Sequence, residues 1–168
     1  FLFGQYKRMR NEFSGVLTGK GLDWGGSLGR TEAPGYGLVY MVQEALHAQG
    51  KGLEGMAVSV SGSGNVALYA AEKVQQLGGK VLTLSDSSGF IYDPNGIKLD
   101  TVKVLKEVKR QRIRDYVGSH KNARYSEGCR GVWGVACDVA LPCATQNELD
   151  ERSARTLVEN GCVAVGEG

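Results

Sequence analysis

The chain has 168 residues, of which 42% are hydrophobic and 23% charged, so it can bury the core of one ordinary globular domain. Its net charge of +2 is too small to indicate a nucleic-acid partner, and no apolar run reaches the roughly 18 residues of a membrane span. The four cysteines lack paired metal-ligand spacing. We therefore expect no nucleic-acid, membrane or metal partner, and reduced, mostly buried thiols in a cytoplasmic protein.

Two helices are predicted before the most informative part of the chain. Apolar and aromatic groups at helical spacing predict a short amphipathic helix over residues 3–13. Residues 15–29 contain six glycines, but their spacing does not match that of a phosphate loop. A second helix is predicted from about residue 38 to residue 47. We interpret residues 1–14 as the end of a preceding unit and residues 15–52 as a glycine-rich connector with its helix.

A strand, a tight turn and a helix are predicted over residues 56–77. The apolar run 56–61 leads into Gly62, Gly64 and Ala67, which form a G-x-G-x-x-A pattern. Gly62 lets the backbone turn off the strand, Gly64 leaves room for a phosphate, and Ala67 allows close packing of helix on strand. The pyrophosphate of a dinucleotide would then bind the free N–H groups at the start of the helix.

A second apolar strand, residues 81–85, ends in Asp86, which lies 24 positions after Gly62. Dinucleotide-binding folds place an acidic residue near this position, against the adenosine ribose. A tight turn without a ligand is the alternative interpretation of the glycines. The complete strand-helix-strand unit favours the binding site.

The segment after the second strand contains a turn and a basic stretch. Residues 89–97 carry Pro-Asn-Gly between aromatic and aliphatic residues, which predicts a tight turn or a hairpin. Apolar and basic residues over 100–116 predict a basic amphipathic helix. Its last turn could direct a cation toward a 2′-phosphate, the candidates being Lys109, Arg110, Arg112 and Arg114. A basic face that is simply exposed to solvent is the alternative.

The last part of the chain continues the alternation of strands and helices. Residues 120–133 give no clear prediction, but a strand is predicted at 138–141, a helix from about 148 to 160, and a strand at 162–165. This order predicts an α/β fold, with a Rossmann-like, doubly wound, mostly parallel sheet that carries helices on both faces.

Ligands of such sheets bind at the carboxyl ends of the strands. Gly62, Asp86, Ala144 and Glu167 all fall at predicted strand ends. We therefore expect a dinucleotide site formed by these segments.

Five motifs together resemble the glutamate dehydrogenase family. They are LFGQYKR at 2–8, LTGKG at 17–21, WGGSL at 24–28, SGSGNVA at 61–67 and LPCATQNEL at 141–149. The similarity covers practically the whole chain and is strongest to the NADP-dependent, homohexameric branch. It implies reversible oxidative deamination of L-glutamate to 2-oxoglutarate and ammonia.

The resemblance also implies roles for individual residues. The pyrophosphate and nearby ribose would be held by Gly62, Ser63, Gly64, Asn65 and Val66, and the nicotinamide ribose would be lined by Ala144, Thr145, Gln146 and Asn147. Asp86 alone would favour a free 2′-hydroxyl and therefore NAD. The hydroxyl of Ser87, with a cation such as Lys109 or Arg112, would reverse that preference, so the expected cofactor is NADP rather than NAD.

The same resemblance implies a fragment of a two-domain enzyme. Residues 1–14 would end the substrate and oligomerisation domain, 15–52 would be the connector with its helix, and 53–168 would be a dinucleotide-binding domain truncated at its carboxyl end. No counterpart of the family's catalytic lysine or aspartate is present, so we expect no catalytic residue here and no activity from the chain alone. Pro34 stands where the family carries a threonine that reaches toward the nicotinamide.

Two other functions remain open at this point. The chain could be a nucleotide-binding or assembly module without catalysis. It could also belong to an NAD-linked dehydrogenase that acts on leucine, phenylalanine or valine, although residues 143–149 fit that alternative less well.

Overall fold

A computed structural model describes residues 1–168. It contains five α-helices and six β-strands. The helices are α1 (Leu2–Arg10), α2 (Ala33–His47), α3 (Asn65–Gln76), α4 (Leu99–Lys103) and α5 (Glu151–Glu159). The strands are β1 (Ala57–Val60), β2 (Lys80–Ser85), β3 (Gly89–Tyr92), β4 (Arg124–Glu127), β5 (Val139–Leu141) and β6 (Ala164–Val165). Short 3₁₀ turns occupy Leu22–Trp24, Ile113–Gly118 and Cys129–Gly134.

The six strands form one sheet in the order β4-β3-β2-β1-β5-β6. The pairs β1/β2, β1/β5 and β5/β6 are parallel, whereas β2/β3 and β3/β4 are antiparallel. The predicted α/β class with a mostly parallel sheet is confirmed. Because β1 is central and pairs in parallel with β2 and β5, the carboxyl ends of these three strands meet at one edge of the sheet.

Hydrophobic residues cover both faces of the sheet. The larger cluster contains 23 buried residues and includes Val39 and Leu46 of α2, Val74 of α3, and Val58 and Val60 of β1. The smaller cluster lies on the opposite face and combines Phe90, Val132, Trp133, Cys137, Ala140 and Leu157. Residues 58 to 60 alternate between the two faces, as the strand period requires, and helices cover both faces as predicted.

Helix α2 begins about five residues earlier than the sequence pattern indicated. Pro34 occupies its first turn, where the missing N–H costs no hydrogen bond and the fixed φ suits a helix. Gly35 lies against α3: a Cβ there would stand 2.7 Å from both Ala70 N and Val66 O. The close approach of the two helices therefore depends on a residue without a side chain at position 35.

The continuous basic helix predicted over residues 100–116 is wrong. Helix α4 passes into a single π-helical turn, Val104–Val108, and Arg110 then adopts a left-handed conformation with φ 51°. A separate 3₁₀ turn buries Ile113 and Tyr116. Ile113 lies five positions after Val108, a spacing that does not fit the helical period. One straight helix therefore cannot bury both side chains, and Val108 is 75% exposed.

Strands β3 and β4 were not predicted as strands. The turn at Asp93–Gly96 is present as predicted, with Gly96 N–H donating to Asp93 O over 3.0 Å. The hairpin, however, joins β2 to β3 through residues 86–88. Strand β4 exposes most of its side chains, so its sequence shows no apolar alternation.

None of the helices is both long and apolar enough to cross a lipid bilayer. Several large apolar side chains of the first 30 residues are nevertheless exposed, among them Phe1, Leu2, Met9 and Leu28. The rest of the chain leaves these side chains uncovered.

The glycine at the α2–α3 crossing can be tested with a matched pair of variants. Gly35→Ala should lower the free energy of unfolding by about 1–3 kcal/mol, because its methyl group would collide with the backbone of α3. Gly37→Ala lies in the same helix with no atom within 4 Å of its Cβ position, and should raise stability by up to about 1 kcal/mol. Thermal unfolding midpoints measure both effects, and equal shifts of the same sign would contradict this packing.

Candidate dinucleotide-binding site

The carboxyl ends of β1, β2 and β5 border a cleft of about 550 Å³. Most of the residues predicted to bind the cofactor line it, namely Gly62, Ser63, Gly64, Asp86, Ser87, Ala144, Thr145, Gln146 and Asn147. Asn65, Val66, Lys109 and Arg112 are not part of its lining. Sequence reasoning missed Cys129, Arg130, Cys143 and Glu148, which also line it.

The turn after β1 requires glycine at position 62. Gly62 has φ 84°, and a Cβ there would stand 2.8 Å from the carbonyl oxygen of Cys143. Its N–H donates to Ser85 Oγ over 2.7 Å, and its carbonyl accepts from Ser85 N–H over 3.0 Å. Gly62 thus joins the ends of three strands, which is an architectural role that does not depend on a ligand.

Buried hydroxyl groups complete the connection between the strand ends. Thr83 Oγ1 accepts from Val60 N–H over 3.0 Å and lies 2.8 Å from Ser59 Oγ. Ser61 Oγ accepts from Cys143 N–H over 3.0 Å. Thr83 thus satisfies a backbone group beside the register shift between β1 and β2, and Ser61 satisfies one just after β5.

The start of α3 is open to a ligand. Gly64 is the N-cap residue, and no side chain caps the N–H groups of the first turn. No atom lies within 4 Å of the position that a Gly64 Cβ would occupy. Free N–H groups, the positive end of the helix dipole and the absence of a side chain suit the pyrophosphate of a dinucleotide, with Asn65 and Val66 contributing backbone donors.

Asp86 is directed toward the protein rather than into open solvent. Its side chain is only 6% exposed, and its carboxylate accepts from Ser88 N–H over 2.9 Å and from Ile113 N–H over 3.3 Å. Burial alone raises the pKa of Asp86, but the hydrogen bonds from Ser88 and Ile113 and the charge of Arg112 outweigh it, so the pKa lies below its usual value. The carboxylate is therefore ionised and already engaged by protein donors.

Ser87 and Arg112 form the polar rim beside Asp86. Arg112 Nη1 donates to Ser87 Oγ over 2.8 Å and lies 3.9 Å from Asp86 Oδ2. The break in the predicted basic helix brings Arg112 to this position. Lys109 is exposed, and its side chain makes no hydrogen bond or ion pair in the structure. The role predicted for Lys109 stays a prediction.

The segment after β5 forms the other wall of the cleft. Residues 144–147 are exposed; Ala144 N–H donates to Glu148 Oε1 over 3.0 Å, and Asn147 adopts a left-handed conformation with φ 58°. The chain after β6 runs beside this segment, with Gly168 N–H donating to Pro142 O over 3.0 Å. A Cβ at Gly168 would lie 2.7 Å from Leu38 Cδ2. The wall thus exposes polar side chains over a tightly packed base.

The polar groups that line the cleft are suited to binding a ligand. The carboxyl groups of the cleft, Asp86 and Glu148, are both hydrogen-bonded to backbone N–H groups. No group of three or more histidine, cysteine, aspartate or glutamate side chains is arranged to hold a metal ion. Peptide donors, small residues and two arginines, Arg112 at the rim and Arg130 in the lining, can hold an anionic, hydroxyl-rich ligand.

Comparison with known proteins identifies relatives over the whole chain. Residues 25–168 match the family described as glutamate/leucine/phenylalanine/valine dehydrogenase. The NADP-specific glutamate dehydrogenase of Helicobacter pylori is 52% identical over 100% of this chain and 39% of that enzyme. These matches confirm the resemblance inferred from the five motifs.

Solved structures show the same fold. Glutamate dehydrogenase of Plasmodium falciparum superposes with a TM-score of 0.87 at 49% identity, over 99% of this chain and 36% of that one. The hetero-hexameric glutamate dehydrogenase of Thermus thermophilus superposes with a TM-score of 0.80 at 27% identity, over 99% of this chain and 37% of that one. The chain therefore spans well under half the length of the relatives that it matches.

The two glycines of the turn should respond differently to substitution. Gly64→Ala should weaken binding of NADPH about tenfold or more, because a methyl group would occupy the phosphate position, and should cost less than about 1 kcal/mol of stability. Gly62→Ala should lower the melting temperature as well, because φ 84° and the contact with Cys143 are both incompatible with a side chain. Fluorescence titration and thermal unfolding separate the two effects. Unchanged NADPH binding by Gly64→Ala would exclude the turn as the phosphate site.

Proposed function

The chain belongs to the glutamate/leucine/phenylalanine/valine dehydrogenase family, and we propose that it is the cofactor-binding part of an NADP-dependent glutamate dehydrogenase. The complete enzyme would interconvert L-glutamate, water and NADP⁺ with 2-oxoglutarate, ammonia and NADPH. The name and 52% identity of the Helicobacter pylori relative support this assignment.

The observation that carries the choice of NADP is the arrangement of Ser87, Arg112 and Asp86. A protein that selects NAD needs a carboxylate that is free to accept hydrogen bonds from the ribose hydroxyls. Here the Asp86 carboxylate already accepts from Ser88 and Ile113, whereas the Ser87 hydroxyl and the Arg112 guanidinium meet at the exposed rim. A hydroxyl and a guanidinium at this place favour a 2′-phosphate.

The nicotinamide ring supplies the hydride acceptor when NADP is bound, and this chain binds and orients it. The uncapped N–H groups of α3 would hold the pyrophosphate. Thr145, Gln146 and Asn147, which line the same cleft as Ser63, would contact the nicotinamide ribose. The proton-transferring groups would lie in the rest of the enzyme, so the chain alone would not turn over.

The proposal includes the organisation of the complete enzyme. Residues 1–14 would end the substrate domain, 15–52 would connect it, and 53–168 would belong to the dinucleotide-binding domain. Exposed apolar side chains such as Phe1, Met9 and Leu28 require a cover, which the rest of the enzyme or a neighbouring subunit would supply. We propose a cytoplasmic homohexamer. The Thermus relative is described as hetero-hexameric, which supports the number of six subunits but not their identity.

A steady-state assay of the full-length protein tests the proposed function. Reduction of the nicotinamide cofactor, followed as NADPH or NADH formation, should be fastest with L-glutamate and NADP⁺. It should be slower when NAD⁺ replaces NADP⁺, or when L-leucine, L-phenylalanine or L-valine replaces L-glutamate. The isolated chain should reduce neither cofactor with any of these amino acids. Faster turnover with an apolar amino acid would reassign the substrate, and a lack of turnover with all of them would leave a nucleotide-binding module.

The rim residues give a sharper prediction about the cofactor. Arg112→Ala should weaken NADPH binding by roughly tenfold to a hundredfold, the effect of one charged hydrogen bond, and should leave NADH binding unchanged. Arg114→Ala is the matched control: Arg114, although also a sequence candidate for this contact, is similarly exposed and lies beside Asp115 instead of Ser87. Titrations of both nucleotides measure the difference, and Lys109→Ala in the same series reveals whether Lys109 takes part. Equal losses for NADPH and NADH would refute the 2′-phosphate role of Arg112.

A further inference from the structure

The first inference concerns Arg130, which lines the nucleotide cleft although Arg112 does not. Arg130 belongs to the 3₁₀ turn after β4, and that turn is anchored against the residues that follow β2. Gly128 N–H donates to Ser88 O over 3.0 Å. A Cβ at Gly131 would lie 2.7 Å from the Phe90 ring, so the turn packs tightly on β3. The backbone thus holds Arg130 beside the segment that would bind the adenosine ribose.

The cleft contains no aromatic side chain that could stack on a base. A guanidinium is planar and delocalised, and it stacks well on flat π systems such as nucleobases. The Arg130 side chain is 65% exposed, and its Nη1 lies 3.4 Å from Asp150 Oδ2. Asp150 is itself fixed, because its other carboxylate oxygen accepts from Ser153 N–H over 2.8 Å at the start of α5. The ion pair therefore gives the exposed Arg130 guanidinium one charged partner at the edge of the cleft.

We propose that Arg130 binds the adenine ring of the cofactor by stacking its guanidinium on the base, with Asp150 holding the guanidinium in place. Asp86, Ser87 and Arg130 line the same cleft, so a base attached to a ribose at Asp86 and Ser87 would lie near Arg130. This inference rests on the proposed function, since it takes the ligand to be a nicotinamide dinucleotide. It assigns a contact common to NADPH and NADH, unlike the contact of Arg112.

Titration of the full-length protein with NADPH, NADH and reduced nicotinamide mononucleotide tests this contact. Arg130→Ala should weaken NADPH and NADH binding by the same factor, roughly tenfold, and should leave the mononucleotide unchanged because it has no adenine. Arg130→Lys should recover only part of the loss, since an ammonium keeps the charge but not the plane. Arg152→Ala is the matched control, because Arg152 is exposed on the neighbouring α5 and does not line the cleft.

Each other outcome identifies what has failed. If the parent protein binds neither dinucleotide, the proposed function falls and this inference falls with it. If the parent protein binds NADPH and Arg130→Ala binds it equally well, only the stacking contact is overturned. If Arg130→Ala loses NADPH alone, Arg130 is a phosphate contact rather than an adenine contact.

A second, independent inference concerns Cys137 and Cys162, which lie just before β5 and β6 in the smaller core cluster. Val139 pairs with Ala164, and Val163 N–H donates to Asp138 O over 2.8 Å. The same register extended by two residues places Cys137 opposite Cys162 on one face. Neighbouring strands lie about 4.8 Å apart, which is within the Cα separations that a disulfide spans.

The two thiols differ in reactivity. A hydrogen bond from the Cys137 thiol lowers the pKa of Cys162, whereas the same bond, followed by burial, raises the pKa of Cys137. Cys162 is half-buried and Cys137 is buried, so an oxidant reaches Cys162 first. Both thiols are free in the structure.

We infer that Cys137 and Cys162 form a reversible disulfide when the protein meets a peroxide. The Cys162 thiolate attacks one oxygen of hydrogen peroxide and the O–O bond breaks. A sulfenic acid forms, and the leaving hydroxide takes a proton from solvent to become water. The Cys137 sulfur then attacks the Cys162 sulfur, the S–O bond breaks, and a second water leaves. The two thiols lose two electrons in total and hydrogen peroxide gains them.

Mass spectrometry of the full-length protein after treatment with hydrogen peroxide tests the disulfide. The peptides that contain Cys137 and Cys162 should be cross-linked, and a dithiol reductant should release them. Cys137→Ser should stop the reaction at a sulfenic acid on Cys162, which dimedone traps. Cys129→Ser is the control, because Cys129 is exposed and should not affect the cross-link. Oxidation of Cys162 beyond the sulfenic acid with Cys137 still free in the parent protein would overturn the inference.

Discussion

The reversal of the chain at Gly62 is the constraint on which the candidate site depends. Gly62 has a positive φ of 84°, and its Cβ position lies 2.8 Å from the carbonyl oxygen of Cys143. Its N–H also donates to Ser85 Oγ over 2.7 Å. Any side chain at position 62 would push β1 away from β5 or force the backbone into a strained conformation. Because α3 starts three residues later, the same reversal decides where its uncapped N–H groups point. Strand pairing and ligand binding are therefore consequences of one backbone geometry.

The hydroxyl groups beneath that reversal explain how β1 and β2 remain hydrogen-bonded although their register is irregular. Between Val58 and Ser59 the pairing of β1 with β2 slips by one residue. Such a slip leaves backbone groups without ladder partners, and burying them unpaired would cost about 1–3 kcal/mol each. The Thr83 hydroxyl supplies both a donor and an acceptor to Val60, and the Ser85 hydroxyl accepts from Gly62. These hydroxyl groups thus stabilise the carboxyl ends of the strands, which is where the cofactor would bind.

The sequence was informative where local pattern and burial agree. The strands before Gly62 and Asp86 are short apolar runs bounded by turn residues, and both were predicted within two residues of their ends. Strand β4 could not be predicted in this way, because its pairing with β3 comes from backbone hydrogen bonds and most of its side chains face solvent. The position of Arg130 in the cleft depends on that pairing. The five-residue gap before Ile113 was visible in the sequence, but only the structure showed that it brings Arg112 to Ser87.

Asp86 shows how an acidic residue can take part in a site that favours a 2′-phosphate. A free carboxylate there would repel the phosphate, and its charge would remain at any pH above its lowered pKa. The hydrogen bonds from Ser88 and Ile113 stabilise the ionised form in the folded protein, so this stabilisation is present above the unfolded pKa and is lost as pH falls through the folded pKa. The bond from Ile113 also ties the chain after the helix break to the end of β2. Asp86 thereby positions Arg112, whose positive charge offsets the carboxylate at the rim. The Asp86 carboxylate thus holds the backbone that carries Arg112, and in the proposed site Arg112 and Ser87 would be left to contact the phosphate.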